Sequence, residues 1–314
     1  MFLRMFDFFQ QLRRTISYYG FVLGAVSVLI IFANGLGQGS DSSRLLAAIY
    51  FFGAVLLGLG SRAIGLSIVI FLLPLTPTLN QQIAAVIPLL EVKRAFSGYD
   101  LVAGFIVGTV ISSLSLRAKG SAKWQLPPLV NLACIVITIS VVLAISRNLW
   151  QAASQFSIVG LKYNALHLFN IGWRDDFYPL VDLTSFGLAI AFFACVIHIL
   201  SDNDKPQEHI LKALLWGIII AALWSLIQAI TGLGLPYSSA SGNRYFQGYG
   251  FAGTGFQPDI HAFSGHMLLG AVGALGCYFL RDAKISRWLI TAAIVMGWVG
   301  LVVSKSRGSA LMAC

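Results

Sequence analysis

The chain has 314 residues, of which 57% are hydrophobic and 11% charged, with a formal net charge of +9. Soluble domains carry nearer about 25% charged residues, so this composition excludes a water-soluble globular fold and makes lipid the solvent. The basic residues are scattered over short loops with no basic face and no binding module, which excludes nucleic acid as a partner.

From the N-terminus, the polar stretch 1–18 is too long for a cleavable signal and is followed by further apolar segments. Arg4, Arg13 and Arg14 hold this end in the cytoplasm. A membrane helix needs about 20 mostly apolar residues. Hydropathy predicts nine, near 19–35, 44–60, 63–80, 99–116, 127–147, 179–200, 211–231, 263–280 and 288–304. The fold class is therefore all-α: a polytopic helical membrane protein forming a single transmembrane domain over 1–314. Only Ser61-Arg62 separates the second and third spans. Pro127-Pro128 fit the first turn of the fifth, where a missing N–H costs nothing. The segment 81–90 reads as a short helix lying in the interface.

Odd-numbered spans then run outward. Twelve Lys and Arg fall inside and nine outside, a positive-inside bias of the correct sign. The long loops, near 81–98, 148–178 and 232–262, lie outside, so function is expected on the outer face. Trp150, Trp173, Tyr178 and Tyr237 suit the headgroup belt. The four cysteines, Cys134, Cys195, Cys277 and Cys314, all sit in apolar segments, which excludes a disulfide framework and a zinc site. There is no internal repeat. The apolar run from Ser309 to Cys314 reads as the first turns of a tenth helix in a chain cut short.

Four constellations could carry chemistry. The run Ser304-Lys305-Ser306-Arg307-Gly308-Ser309 puts two cations on the outer side, where positive charge is normally scarce. Arginine binds phosphate bidentately, and a helix N-terminus adds unpaired N–H groups. Together they make a cradle for a lipid-linked pyrophosphate. The competing reading is a plain snorkelling anchor. The second constellation, 236–266, holds Arg244, the glycines Gly248, Gly250, Gly253 and Gly255, then Gln257, Asp259, His261 and His266. It lacks the strand context of a dinucleotide motif and reads as an outer loop able to close over a headgroup. Neither histidine has the company of a metal site, and an interfacial histidine bonded to backbone is the simpler account of each. Third, Glu91-Val92-Lys93-Arg94 precede Asp100, read as a helix-capping residue at the head of the fourth span. Fourth, Trp173-Arg174-Asp175-Asp176 reads as a surface ion pair. Asp182 and Gln228 lie near the outer ends of their spans and are read as lining one cavity.

Three stretches together resemble the O-antigen ligase and O-antigen polymerase superfamily. Ser306-Arg307-Gly308-Ser309-Ala310-Leu311 resembles the Ser-Arg-Gly start of the ligase-type motif region, here 285–314. Gly253-Thr254-Gly255-Phe256-Gln257-Pro258-Asp259 resembles the family's Gly-Thr-Phe…Pro-Asn turn, with Asp259 where Asn is usual. Pro74 to Asp100 resembles a proline-ended third span, a loop and an Asp opening the next span.

The resemblance implies a glycosyltransferase of the bacterial inner membrane with its active face periplasmic. It would move a glycan from undecaprenyl pyrophosphate to an acceptor hydroxyl on lipid A–core, a growing polysaccharide or a protein. No cofactor or metal is implied. Arg307 matches the family's arginine and is the expected catalytic residue. Lys305, Ser306, Arg244, His261 and His266 are the expected substrate-binding set. The family's histidine base falls after the segment where this chain stops, and neither His261 nor His266 matches it, so the 314 residues alone are expected to be inactive. The alternative is a transporter or flippase of lipid-linked glycan, for which paired broken helices in two related halves would be needed; a non-catalytic scaffold is third.

Overall fold

The computed structural model describes residues 19–20, 22–33, 41–76, 79, 97–117, 127–167, 178–200, 207–233, 252–257, 260–279 and 285–305. Among these the protein is all-α, with no strand. The helices are α1 (Val22–Ala33), α2 (Asp41–Leu59), α3 (Arg62–Leu72), α4 (Ser97–Arg117), α5 (Pro128–His167), α6 (Tyr178–Leu200), α7 (Gln207–Thr231), α8 (Ile260–Phe279) and α9 (Arg287–Ser304).

Five apolar stretches are long enough to cross a membrane by length and composition: Leu129–Arg147 in α5, Leu183–Leu200 in α6, Gln207–Thr231, His261–Phe279 and Arg287–Ser304. In α1 to α4 the apolar stretches are shorter. The extreme is α3, with 11 residues. Pro74 lacks the N–H that would extend its ladder, and the chain tightens into a turn in which Leu75 donates to the Leu72 carbonyl at 2.9 Å.

The fifth element departs from hydropathy in the other direction. α5 starts as expected, with the Val130 and Asn131 N–H groups closing on the Pro127 carbonyl at 3.0 and 3.2 Å. It then runs 40 residues, well past the apolar stretch that ends at Arg147, into a segment expected to be loop. At 1.5 Å per residue that is about 60 Å, roughly twice the hydrocarbon thickness. Trp150, just beyond the apolar stretch, is 77% exposed.

The chain forms two compact units. The first comprises 1–60 and 99–201 and holds α1, α2, α4, α5 and α6. Here α4 lies directly on α2: a Cβ at Gly104 would strike the Phe51 carbonyl oxygen, and one at Gly108 the Val55 carbonyl oxygen. This is the small-residue spacing by which membrane helices approach closely. α4 and α6 run parallel. Tyr99 and Ser185, near their starts, share a 2.9 Å hydrogen bond. Phe105 and Phe192 meet edge-on at 6.1 Å, and Ser113 and His198, near their ends, lie 3.2 Å apart.

The second unit comprises 61–98 and 202–314 and holds α3, α7, α8 and α9. α9 packs on both α7 and α8, and α3 packs on α7. One apolar cluster joins Leu75, Ile218, Ala221, Ala222, Phe256, Phe263, Met267 and Leu301. A second, toward the other end, joins Leu215, Ile219, Ala274, Cys277, Ile285, Ile290 and Ala293. Cys134, Cys195 and Cys277 are buried free thiols, and Cys314 lies outside the described residues.

Outward faces are apolar. On α5 they include Leu129, Leu132, Val136, Ile139 and Leu143; on α9, Trp288, Val295, Trp298 and Val302. Continuous apolar faces of this kind need lipid or another helix to cover them.

Candidate functional site

The polar centre of the second unit is a short non-helical strap, Ala252 to Gln257, held below the ends of the helices. Ala252, Gly253, Thr254, Gly255 and Phe256 are all buried. In hydrocarbon an unpaired backbone N–H or C=O costs several kcal/mol, so irregular backbone survives there only inside protein or beside water. Protein meets the strap's backbone at four points. Gly253 donates its N–H to the Val303 carbonyl of α9 at 3.2 Å. Thr254 donates its N–H to Gln228 Oε1 at 3.0 Å. Gln228 Nε2 donates to the Gly255 carbonyl at 3.0 Å. Gln257 closes the turn by donating its N–H to the Thr254 carbonyl at 3.0 Å.

Gln228 thus pairs with the strap as a neighbouring strand would, through one donor and one acceptor of a planar amide. It is fully buried on α7, one turn below the end at Thr231. Gln257 makes a second tie, donating its side-chain N–H to the Pro74 carbonyl at 2.9 Å, a carbonyl lying just past the last turn of α3. Phe256 stacks on Trp224 at 5.7 Å.

Glycine is required twice. A Cβ at Gly253 would strike the Ser225 carbonyl oxygen. Gly255 has φ +56°, and a Cβ there would lie 2.6 Å from the Phe263 ring. The strap therefore touches α7, α8 and α9 at once. In the second unit, three side-chain atoms are buried without a hydrogen-bond partner among the described residues: Thr254 Oγ1, Trp224 Nε1 and His266 Nε2.

Of the residues expected to bind substrate, Lys305 terminates α9. It takes a left-handed conformation, φ 54°, and its N–H caps the Val302 carbonyl at 3.1 Å. The adjoining Ser304 is fully buried, with its hydroxyl on the Leu301 carbonyl at 2.7 Å. The carbonyl end of a helix favours a cation, so α9 itself supplies negative potential at Lys305. A cation at Lys305, expected to meet an external anion, thus has a second reason in the end of its own helix.

His261 and His266 do not share a face. Five residues of helix separate them by about 140°; His261 is exposed in the first turn of α8 and His266 is half-buried. The His261 carbonyl accepts from Ser264 Oγ at 3.0 Å. Arg244, Ser306 and Arg307 lie outside the described residues, as do Glu91, Lys93, Arg94, Trp173, Arg174, Asp175, Asp176 and Asp259.

Asp100 does not cap its helix. α4 begins earlier, at Ser97, and Asp100 sits buried in the first turn, where the helix dipole favours its charge. Gln228 belongs to the second unit and Asp182 to the first. Gln228 bonds the strap, and the Asp182 side chain lies outside the described residues. Among the described residues no group of three or more His, Cys, Asp or Glu could hold a metal ion.

The strap's residues form a recognisable motif in the sequence, but nothing in that motif shows that they are buried. The available signal was Gln228, a lone amide in an otherwise apolar span, which in lipid must find partners. Neither a protein-family model, nor a curated protein, nor a solved structure matches the chain.

Proposed function

We propose that this protein is a membrane glycan transferase of the O-antigen ligase type, working at the periplasmic face of a bacterial inner membrane. The acceptor hydroxyl oxygen attacks the anomeric carbon of a glycan carried on undecaprenyl pyrophosphate. The bond from that carbon to the pyrophosphate oxygen breaks, and the acceptor's proton passes to a base. Lipid A–core, a growing polysaccharide and a protein side chain are the acceptor classes. The leaving group gains negative charge as the bond breaks, and Arg307 is the residue proposed to meet it.

The observation that supports this reading is the strap. The segment resembling the family's Gly-Thr-Phe turn is a built structural element, hydrogen-bonded to α9 one residue before its end. It is therefore coupled to the end of α9 from which the Ser306-Arg307-Gly308 run continues. Lys305, Ser306, Arg244, His261 and His266 are proposed to contribute contacts to the lipid-linked donor.

Transfer from a lipid-pyrophosphate donor, by purified protein expressed from its full reading frame, tests the proposal. Arg307→Ala should lower the rate about 10²–10³-fold, the effect of losing one preorganised donor. Arg307→Lys keeps the charge but not the planar fork and should restore it only in part. Wild-type turnover in both variants would eliminate the phosphate role and leave a snorkelling anchor.

A further inference from the structure

We infer that Gln228 is a positioning residue: its carboxamide latches the 252–257 strap into the second unit, and the latched strap fixes the carbonyl end of α9. The glycan-transfer reading enters only in what that end of α9 is for; the latch itself stands on hydrogen bonds. Gln228 makes both bonds that hold the middle of the strap, to Thr254 N–H and to the Gly255 carbonyl, each at 3.0 Å. The next residue back, Gly253, carries the connection to α9 by donating to the Val303 carbonyl at 3.2 Å. Val303 is followed by fully buried Ser304 and then by the left-handed turn at Lys305. Releasing the strap therefore removes the cap on a carbonyl one residue before α9 ends.

The chemistry of the latch is specific. It needs a side chain that offers one donor and one acceptor in a plane. Glutamine does so, and so does a protonated carboxyl group, whose O–H can donate to the Gly255 carbonyl while its C=O accepts from Thr254. An ionised carboxylate accepts only and would face that carbonyl with like polarity. Leucine offers neither group. Gln228→Glu should accordingly convert a fixed latch into one that holds at low pH and opens at high pH. Among the described residues, the titratable groups on its own helix and on the elements packed around it are Glu208, His209 and Lys212 on α7, Arg62 on α3, His261, His266, Cys277 and Tyr278 on α8, and Arg287 and Lys305 on α9. Their own contribution is read from the protein that keeps Gln228.

The test uses two reporters in a background where Cys134, Cys195, Cys277 and Cys314 are replaced by alanine. Ala252→Cys reports the strap and Ser304→Cys the end of α9; both positions are fully buried. Each is labelled with a small maleimide at about pH 5 and about pH 9, on either side of the range over which buried carboxyl groups ionise. Rates are divided by that of a free thiol, N-acetylcysteine, at the same pH, which removes the general rise of thiolate with pH.

Both reporters should be protected at both pH values when Gln228 is present. Gln228→Leu should speed labelling of both by about tenfold or more, the scale of one lost hydrogen bond with its partner orphaned. Gln228→Glu should protect both at low pH and expose both at high pH. Because it is purified folded at low pH, this variant serves even if Gln228→Leu does not fold. Protection of Ala252→Cys in Gln228→Glu at both pH values would overturn the latch. Labelling of Ala252→Cys while Ser304→Cys stays protected would overturn its action on α9. The full labelling pattern in a protein that transfers no glycan would keep the latch and remove the function proposed above.

Discussion

Gly255 carries two constraints that can be separated. Its φ of +56° lies in the left-handed region, and a Cβ there would meet the Phe263 ring at 2.6 Å. Gly255→Ala should destabilise the protein by about 1–3 kcal/mol from the backbone conformation, with the ring contact adding to it. Adding Phe263→Leu should recover only the steric part. Unfolding midpoints in mixed detergent micelles give the comparison, and full recovery in the double variant would show that the backbone is not strained. Lys305 is the other left-handed position, and here a side chain is tolerated because the chain is leaving α9. Lys305→Gly should keep folded yield, while Lys305→Val should lose about 1–2 kcal/mol, since a β-branched side chain is least compatible with this region. Equal stability of the two would indicate that the charge, not the turn, sets the residue. Neither constraint is legible in the residues alone. A glycine in a glycine-rich loop looks permissive until a phenylalanine from the next helix is set against it.

The departures of individual helices from their hydropathy have simple causes. Hydropathy reports where lipid ends; it does not report where an i to i−4 ladder ends. α5 keeps its ladder beyond Arg147 because no proline follows until Pro179, and polar residues can continue a helix in water. α3 stops early for the opposite reason: Pro74 removes a donor while the sequence is still apolar. Helix pairing was less visible still. Gly104 and Gly108 have the spacing of a contact face, but which helix they meet is settled only by α2 lying across them. Gly104→Leu or Gly108→Leu should drive a side chain into the α2 backbone and sharply lower the monodisperse fraction on size exclusion. Gly53→Leu, where a Cβ meets nothing within 4 Å, should behave as wild type. An equal loss at all three positions would refute close packing as the cause.

For the molecule as a whole, the alternation of spans gives a direct topological expectation. Parallel α4 and α6 fit an order in which α5 runs back between them. Ala240→Cys should label with an impermeant reagent added from the outer side, and Lys119→Cys only after the membrane is opened. The reverse pattern would invert the protein. Composition alone determined that the chain is helical and lives in lipid, because 11% charge cannot clothe a soluble surface and unpaired backbone is not tolerated in hydrocarbon. The sequence also set Gln228 near the outer end of its span, as a cavity-lining residue beside Asp182. Only the tertiary structure decided what the partners of Gln228 are. They come from residues 254 and 255, more than 25 positions away along the chain, and a hydrogen bond of that separation leaves no period or spacing in the sequence. Only the close packing of α7, α8 and α9 brings the strap between them, and that is what turns a glycine-rich loop into a fixed part of the fold.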